Sequence, residues 1–310
     1  MAGLFRLLRT QFNPPRDPDP RTISFAGKTV LLTGATSGLG YEAAVKFLNL
    51  GVDTLIIGCR NLERGYATKT QLETRTQRPD VVQVWELQMS RFQSVKQFAD
   101  RVDCEVGRLD IAVLNAGLWN RDYTLVEEEG WEETLQVNTL STTLLAILLL
   151  PKLRDSVSRE SGPAHLTVVS SQQFVRVKEA SLHTENGHDL LQHLNDPSHY
   201  AGPKQYGVSK LLLEYMLKKT AERVRHENGT LPVIINTVSP GLCASSLGRS
   251  YDTLVQRGVV WLLYRLFART AEQGSRSLVS ATYQGVESHG RCWRSDGYLE
   301  YVSSSVTVCC

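Results

Sequence analysis

The chain has 310 residues, of which 42% are hydrophobic and 21% are charged. A chain of this length can bury a large core without disulfides or metal ions, and its composition excludes intrinsic disorder. Its 34 Lys and Arg residues nearly balance 32 Asp and Glu residues. This balance excludes a dominant electrostatic surface for nucleic acid.

The first 21 residues form a basic leader that ends in prolines. Four apolar residues fall at helical spacing, namely Leu4, Phe5, Leu8 and Phe12, and Asn13-Pro14-Pro15 ends any helix. The apolar stretch is too short to span a bilayer. It could lie on a membrane surface, although packing against the protein body is the more common outcome for such a stretch.

From Lys28 onward, short apolar runs alternate with amphipathic segments. The predicted strands are Lys28–Thr33, Thr54–Gly58, Val81–Leu87, Asp110–Leu114, His165–Ser170 and Val233–Val238. The predicted helices lie near Leu39–Leu50, Asn61–Arg75, Arg91–Val106, Glu127–Lys152 and Lys204–His226, and Ser90-Arg91-Phe92-Gln93 has the pattern of a capping box for the third helix. This alternation predicts an α/β fold, a doubly wound parallel sheet flanked by helices. The unbroken apolar run Leu144–Leu150 is too short to cross a membrane and predicts a buried helix, in the core or at a subunit interface.

A glycine-rich loop follows the first predicted strand and precedes the first predicted helix. It reads Thr33-Gly34-Ala35-Thr36-Ser37-Gly38-Leu39-Gly40. Gly34 permits a tight turn, Gly38 lets the backbone approach a pyrophosphate, and Gly40 allows close packing of helix on strand. Free N–H groups at the helix start can bind the phosphates. The loop therefore predicts a dinucleotide site.

The residues after the second strand bear on the choice of dinucleotide. Sites for NAD usually place an acid at the end of this strand, whereas sites for NADP offer a basic residue. Asp53 lies at the start of the second strand, at the far edge of the sheet, and the strand ends in Gly58-Cys59-Arg60. A guanidinium can stack on adenine and bind a 2′-phosphate. We therefore expect NADP(H), with Arg60 as its 2′-phosphate ligand.

Four motifs in order give the chain a family resemblance. These are the Gly34/Gly38/Gly40 loop, Asn115-Ala116-Gly117, Tyr206-Gly207-Val208-Ser209-Lys210 and Pro240-Gly241. Together they resemble the short-chain dehydrogenase/reductase family over about residues 25 to 290. Gly58-Cys59-Arg60-Asn61 and Asn236-Thr237-Val238-Ser239-Pro240-Gly241 are most similar to the retinol-dehydrogenase-like branch, which includes fungal enzymes of secondary metabolism. The resemblance implies a single Rossmann-type domain with about seven parallel strands, here residues 22–300 between the leader and a tail of residues 301–310.

The resemblance also implies roles for individual residues. The catalytic residues would be Asn138, Ser171, Tyr206 and Lys210, with Ser170 a weaker candidate than Ser171. The cofactor-binding residues would be Gly34, Thr36, Ser37, Gly38, Leu39, Gly40, Arg60, Gln88, Asn115, Ala116, Gly117, Tyr206, Lys210, Pro240 and Gly241. Thr237 would line the nicotinamide side with Pro240-Gly241. Gln88 departs from the family, which often has an aspartate there to bind the adenine amine.

Tyr206 and Lys210 stand four residues apart in a predicted helix and therefore share a face. An ammonium one helical turn away stabilises a phenolate, so the pair suits proton transfer to or from a substrate oxygen while hydride moves at carbon. Ser171 would hydrogen-bond the oxygen where charge develops, and Asn138 would anchor a water of the proton relay. Taken singly, each residue is more often a surface contact or a loop residue. Their coincidence behind a dinucleotide loop favours catalysis.

The sequence indicates the class of substrate less directly than the cofactor. Candidates for an apolar pocket are Trp119, Phe174, Val259, Val260, Trp261, Leu262 and Leu263, which could equally be core. They suit a hydrophobic alcohol or ketone. The leading hypothesis is an NADP(H)-dependent oxidoreductase that interconverts an alcohol and an aldehyde or ketone, as a tailoring step in secondary metabolism. A membrane-associated retinoid or steroid dehydrogenase and a non-catalytic NADP sensor are the alternatives.

Cysteine and histidine patterns bear on compartment and metals. The six cysteines are scattered without a CxxC pair, which favours a reducing compartment such as the cytoplasm. The histidines lack zinc spacings, so no metal site is expected. Cys309-Cys310 resembles a prenylation ending, although lipidation there needs a partner enzyme.

The resemblance to the short-chain dehydrogenase/reductase family further implies a homodimer through the helices that carry Asn138 and Tyr206.

Overall fold

The computed structural model describes residues 11–157, 162–178, 182, 190–224, 230–244 and 268–299. Several sequence predictions lie outside these residues: the first part of the leader with Leu4, Phe5 and Leu8, the pocket candidates Val259–Leu263, and Cys309-Cys310.

The strands form one main sheet with a small separate hairpin. They are β1 Thr29–Thr33, β2 Thr54–Cys59, β3 Val82–Glu86, β4 Ile111–Leu114, β5 Leu125–Val126, β6 Trp131–Glu132, β7 Ala164–Val169, β8 Val233–Val238, β9 Cys292–Arg294 and β10 Gly297–Tyr298. The main sheet has the order β10-β9-β8-β7-β4-β1-β2-β3. Within the described residues, every neighbouring pair in it is parallel except β9 with β10. Seven parallel strands thus run side by side, as the family resemblance implied.

Helices cover both faces of this sheet. They are α1 Gly38–Asn49, α2 Leu62–Thr76, α3 Phe92–Glu105, α4 Thr142–Asp155, α5 Leu190–Asn195, α6 Gly202–Arg223 and α7 Ala271–Ala281. The apolar core on one face includes residues of α1, α2 and α7, and the core on the other face includes residues of α3, α4 and α6. The predicted doubly wound α/β fold is confirmed.

Alternate residues of the central strand face the two cores. Leu32 packs in the same cluster as Phe47 of α1, while its neighbour Leu31 packs with Leu149 of α4. All three leucines and Phe47 are fully buried. Because a parallel strand of this kind is covered on both sides, it is a continuous apolar run in the sequence.

The predicted helix Glu127–Lys152 begins later than expected. Strands β5 and β6 form a hairpin around Gly130, whose φ of 74° suits glycine. The helical region begins at Glu133, passes through a π-helical segment Gln136–Ser141 and continues as α4. The buried Glu132 carboxylate accepts hydrogen bonds from the first amides of the region, at Thr134 and Leu135. The Glu132 carboxylate therefore caps this helix start. The sequence did not identify it because several other glutamates stand nearby.

The helical stretch Glu133–Asp155 is long and apolar enough to cross a membrane by composition alone. However, 67% of its most apolar window is buried within the protein. Leu145, Leu149 and Leu153 of this stretch are fully buried in the core. Its apolar character is therefore explained by core packing.

The predicted capping box before α3 is wrong. Arg91 precedes the helix without a capping side chain, and the Phe92 amide donates instead to the distant carboxylate of Glu129. A capping box does open α7, where Thr270 and Gln273 bond each other's backbone amides. Helix α7 was not predicted because its serines and glycine dilute the apolar pattern. Gly274 packs closely there, since a Cβ would crowd the side-chain ends of Leu39 and Cys243, which would have to shift.

The end of the leader packs on the body beside β8. Gln11 exchanges two hydrogen bonds with the backbone of Leu242, at 2.8 and 3.1 Å. The buried Arg269 guanidinium donates to the carbonyls of Asn13 at 2.9 Å and Pro240 at 3.0 Å. Residues 11–13 are therefore anchored to the segment that follows β8.

Candidate active site

A cleft of about 660 Å³ opens at the carboxyl ends of the parallel strands. All fifteen predicted cofactor-binding residues line it, together with Ser171 and Trp119. The cleft extends from Arg60 after β2, across the glycine loop, to Tyr206 on α6 and Pro240-Gly241 after β8. The topology thus gathers residues from distant parts of the chain at one edge of the sheet.

The glycine loop has the geometry that close backbone packing requires. Gly34 and Gly38 have φ values of 70° and 56°, in the left-handed region. A Cβ at Gly40 would lie 2.3 Å from the Gly34 carbonyl oxygen and 2.6 Å from the Asn115 amide. These positions therefore accept no side chain, and the start of α1 stays open to an anion.

Asn115 stiffens this loop from the neighbouring strand. Its side-chain amide donates to the carbonyl oxygens of Thr33 at 3.0 Å and Gly34 at 3.1 Å. The Thr33 hydroxyl in turn accepts from the amides of Asn115 and Ala116. Asn115 thus fixes the shape of the loop through its side-chain amide.

Two arginines line the end of the cleft beyond β2. Arg60 follows the strand directly, and Arg64 lies on the first turn of α2; both are exposed. The sequence analysis did not name Arg64, which the fold brings to the same end of the cleft as Arg60. Gln88 also lines this end, and its amide donates to the Ser90 hydroxyl at 3.3 Å.

Asp53 lies away from this site, at the start of β2 as predicted. Among the described residues that line the cleft, Glu133 is the one carboxylate, and it accepts a hydrogen bond from Asn120 at 2.7 Å. Arg60 and Arg64 therefore line their end of the cleft without a carboxylate among the described lining residues there, although Glu86 of β3 lies beside Cys59.

Tyr206 and Lys210 lie on α6 and face the cleft together. The Lys210 ammonium is buried and donates to the Val169 carbonyl at 2.8 Å. Burial lowers the pKa of Lys210 to about 8, while the charge of Glu214 acts in the opposite direction. The Trp119 ring lies 6.4 Å from the Tyr206 ring. The side chain of Lys210 is thus largely buried at the cleft wall and protonated near neutral pH.

Asn138 lies in the π-helical segment and, unlike the other three predicted catalytic residues, does not line the cleft. Its side chain is buried, accepts from the Leu118 amide and donates to the Leu118 carbonyl and the Ser209 hydroxyl. It thereby ties the segment after β4 to α6. The side-chain amide is engaged with protein groups, so any water that Asn138 holds would bind its backbone.

The two serines after β7 have different surroundings. Ser171 is partly exposed in the cleft, and its hydroxyl accepts from the Gln173 amide at 3.3 Å. Ser170 also lines the cleft, but it is only 2% exposed and its side chain adjoins Glu214. This arrangement favours Ser171 over Ser170 for contact with a substrate.

Two further residues that were expected at the cleft, Thr237 and Phe174, do not line it. Thr237 was expected on the nicotinamide side, but it is 4% exposed and absent from the cleft walls, because its hydroxyl points to the Glu214 carboxylate at 3.0 Å. Phe174 is 3% exposed and also does not line the cleft. Trp119 remains as the described aromatic candidate for the substrate side, joined by Leu118 and Leu242, which the sequence analysis did not name.

Comparison with known proteins agrees with this arrangement. A family model described as short chain dehydrogenase matches residues 28–181. The short-chain dehydrogenase/reductase phmF of Phaeosphaeria nodorum is 44% identical over 296 residues, which span 94% of this chain and 83% of that protein. The chain belongs to the short-chain dehydrogenase/reductase family. It is therefore an oxidoreductase of a family whose fold binds NAD or NADP.

Solved structures share the fold. The RhlG/NADP active-site complex of Pseudomonas aeruginosa aligns with a TM-score of 0.63 at 22% identity, covering 87% of this chain and 94% of that one. A short-chain dehydrogenase/reductase of Burkholderia phymatum in complex with NAD aligns with a TM-score of 0.59 at 16% identity, covering 84% and 87%. The fold thus accommodates either dinucleotide, and the choice depends on side chains.

Proposed function

We propose that this short-chain dehydrogenase/reductase uses NADP(H) to interconvert an alcohol and an aldehyde or ketone on a hydrophobic small molecule. The observation that carries the proposal is the meeting of Ser171, Tyr206 and Lys210 with the glycine loop in one cleft. Bound nicotinamide would supply or accept the hydride. The crowded position of Gly40 and the open start of α1 fit the pyrophosphate of such a group.

The residues of the chain have distinct tasks in this proposal. Tyr206 passes a proton to or from the substrate oxygen. Ser171 donates a hydrogen bond to the same oxygen as negative charge develops there. Lys210 stabilises the phenolate form of Tyr206 and reaches the ribose hydroxyls. Asn138 holds the segment after β4 against α6, which fixes the positions of these two walls of the cleft relative to each other.

The charge at the arginine end supports NADP(H) over NAD(H). Arg60 and Arg64 both line that end, and Asp53 lies at the opposite edge of the sheet. A guanidinium binds a phosphate group through paired, charge-assisted hydrogen bonds. A carboxylate that would prefer a ribose hydroxyl is missing from this end among the described lining residues.

Titration of the cofactors into arginine variants tests this preference. The double change Arg60→Ala and Arg64→Ala should weaken NADPH binding by about 10- to 100-fold, the effect of losing about 1.5–3 kcal/mol of charged hydrogen bonds. NADH binding should change by less than about threefold. Arg154→Ala, at an exposed arginine of α4, is the control. Equal weakening of NADPH and NADH would reject the assignment.

The substrate proposal depends on the apolar and aromatic lining near Tyr206. Trp119, Leu118 and Leu242 line that part of the cleft, and a hydrophobic alcohol or ketone would bury apolar surface against them. We place the reaction among the tailoring steps of fungal secondary metabolism, a placement that the fungal relative supports. The test is a screen of hydrophobic ketones and alcohols with NADPH or NADP⁺, followed by the absorbance of the reduced nicotinamide. Turnover of none of them would count against the assignment.

The anchored end of the leader supports a leader that packs on the enzyme over one that binds a membrane. Gln11 and Asn13 are bonded to Leu242 and Arg269. We expect deletion of residues 1–20 to leave partitioning onto lipid vesicles unchanged. Loss of vesicle binding on deletion would instead favour the membrane-associated alternative.

A homodimer through α4 and α6 is supported by two exposed apolar side chains. Ile147 of α4 and Met216 of α6 are each 46% exposed. Burial of such residues is a common driving force for association. Sedimentation of the wild-type protein should give a dimer, and Ile147→Glu should give a monomer; a monomeric wild type would reject the proposal.

A further inference from the structure

Helix α6 carries a third ionisable side chain in line with Tyr206 and Lys210. Glu214 follows Lys210 by four residues and therefore lies one turn further along the same face. Its exposure is 5%, and that of Lys210 is 4%. A carboxylate and an ammonium are thus both buried on one face of the helix.

The two oxygens of the Glu214 carboxylate differ in their contacts, because Oε1 is buried without a hydrogen-bond partner among the described residues. Its Oε2 accepts a hydrogen bond from the Thr237 hydroxyl of β8 at 3.0 Å. The Ser170 hydroxyl at the end of β7 and the Cys292 thiol of β9 adjoin it. Burial raises the pKa of Cys292 well above its usual value, so this thiol is neutral. The positive charge that acts on this carboxylate is that of Lys210.

The charges of Glu214 and Lys210 support each other. Burial raises the pKa of Glu214 above its usual value, and the hydroxyls of Ser170 and Thr237 and the charge of Lys210 oppose this rise without cancelling it. Lys210 itself is bonded to a carbonyl oxygen, which carries no net charge. A buried ammonium needs a counter-charge to remain protonated, and Glu214 supplies a negative charge one helical turn away.

We propose that Glu214 is a positioning residue whose buried carboxylate keeps Lys210 protonated over the pH range in which Tyr206 transfers protons. The proposal rests on the roles given above to Tyr206 and Lys210. Thr237 contributes to this arrangement, because the hydrogen bond from its hydroxyl favours the charged form of the carboxylate. This accounts for the orientation of Thr237 away from the cleft.

The direct test is an NMR titration of Lys210 in the protein without added nucleotide. The enzyme is labelled at the lysine ε-carbon, and the Lys210 signal is assigned by its loss in Lys210→Arg. Glu214→Gln removes the negative charge and keeps the side-chain size. The titration midpoint of Lys210 should fall by about one to two pH units, the effect of removing a buried unit charge one helical turn away. An unchanged midpoint would overturn the proposal.

Glu222→Gln is the matched control, since Glu222 is an exposed glutamate on the same helix, paired with Lys219. It should leave the midpoint of Lys210 unchanged, and a shift as large as that of Glu214→Gln would overturn the proposal.

Glu214→Asp, which retains the charge, should recover most of the wild-type midpoint; failure to do so would also count against the proposal. If Glu214→Gln does not fold, Thr237→Val gives the second test. Loss of that hydroxyl should raise the pKa of Glu214 and lower the midpoint of Lys210, and no change would contradict the proposal.

Kinetics separates this inference from the proposed function. For carbonyl reduction, kcat/KM should fall at high pH as the Tyr206–Lys210 pair loses its proton, and in Glu214→Gln this fall should begin at a pH lower by about one to two units. A merely structural role would lower activity without moving the profile. If Lys210 shifts in the NMR titration but no substrate is turned over by the wild type, the proposed function fails and the charge pair stands. If turnover is normal and neither the titration nor the profile moves, the charge pair fails alone.

Discussion

The two edges of the parallel sheet treat buried polar groups differently. At the amino edge, the buried Asp110 accepts from the Thr29 amide at 2.9 Å, and its carbonyl accepts from the His165 amide. At the carboxyl edge, Tyr206 and Lys210 line an open cleft. The amino edge uses its polar groups to join strands β1, β4 and β7, whereas the carboxyl edge presents them to a ligand.

This difference follows from the winding of the chain. In an open parallel sheet the loops at the carboxyl ends diverge where the strand order reverses, which here occurs between β1 and β4. A crevice remains there for a ligand. At the amino edge, the described residues Thr29, Asp110 and His165 bond one another within the protein. Changes at the carboxyl edge should therefore alter activity, and changes at the amino edge should alter stability.

Tyr206→Phe should give the largest separation of the two effects. Loss of the phenol removes the proton donor, so turnover should fall by about 10²- to 10⁴-fold. NADPH affinity and the melting temperature should stay close to those of the wild type. Tyr215→Phe, on the same helix, is the control. Retention of full turnover would exclude Tyr206 as the proton donor and would favour a different catalytic group.

Gly40→Ala should weaken nucleotide binding by about 10- to 100-fold, because overpacking costs about 1–3 kcal/mol. The added methyl group would lie 2.3 Å from the Gly34 carbonyl oxygen and must displace the phosphate loop. Calorimetric titration with NADPH measures the effect. Gly107→Ala is the matched control, since its methyl group would meet open space. Tight binding by Gly40→Ala would show that the loop does not hold the pyrophosphate.

Asp110→Ala, at the amino edge, should lower stability and leave activity almost unchanged. It leaves the Thr29 amide and the Arg108 guanidinium without the carboxylate that they contact. The free energy of unfolding should fall by about 1–3 kcal/mol, while kcat/KM stays within about twofold of the wild type. Urea denaturation and steady-state kinetics measure the two, with the exposed Asp103→Ala as control. A large loss of activity in the folded variant would contradict the division between the edges.

His165 should give the smallest effect, and one that depends on pH. Burial, and secondarily the charge of Lys28, lowers the pKa of His165 to about 4. Because this is below the ordinary value of 6.5, the unfolded chain binds the extra proton between these pH values. The stability of the wild type should therefore fall as the pH falls from about 6.5 to 4.

The difference between wild type and His165→Gln isolates this term. The wild type should lose about 1–2 kcal/mol more than the variant over that range, a value reduced for the partial exposure of the ring. Urea denaturation at several pH values measures it. Parallel stability curves for the two proteins would show that His165 does not titrate in this way.

The motifs that predicted the site are each confined to a few consecutive residues, so they could be identified from the sequence alone. The glycine spacing around Gly38 and the four-residue spacing of Tyr206 and Lys210 each depend on the geometry of a single element. Arg64 was missed because an arginine on the first turn of a helix has no distinctive local pattern. Glu214 was missed because its burial depends on the packing of α6 against β8 and β9, which the helix sequence does not encode alone.

The sequence by itself determined the strand–helix alternation, the phosphate loop and the pairing of Tyr206 with Lys210, because backbone sterics and periodicity act over a few residues. Only the tertiary structure decided the hairpin before Glu133, the orientation of Thr237, and the anchoring of Gln11 beside Leu242. Each of these depends on hydrogen bonds between residues far apart in the chain. A polar side chain in isolation can bond water or several partners, and the fold selects one of them by placing it within reach.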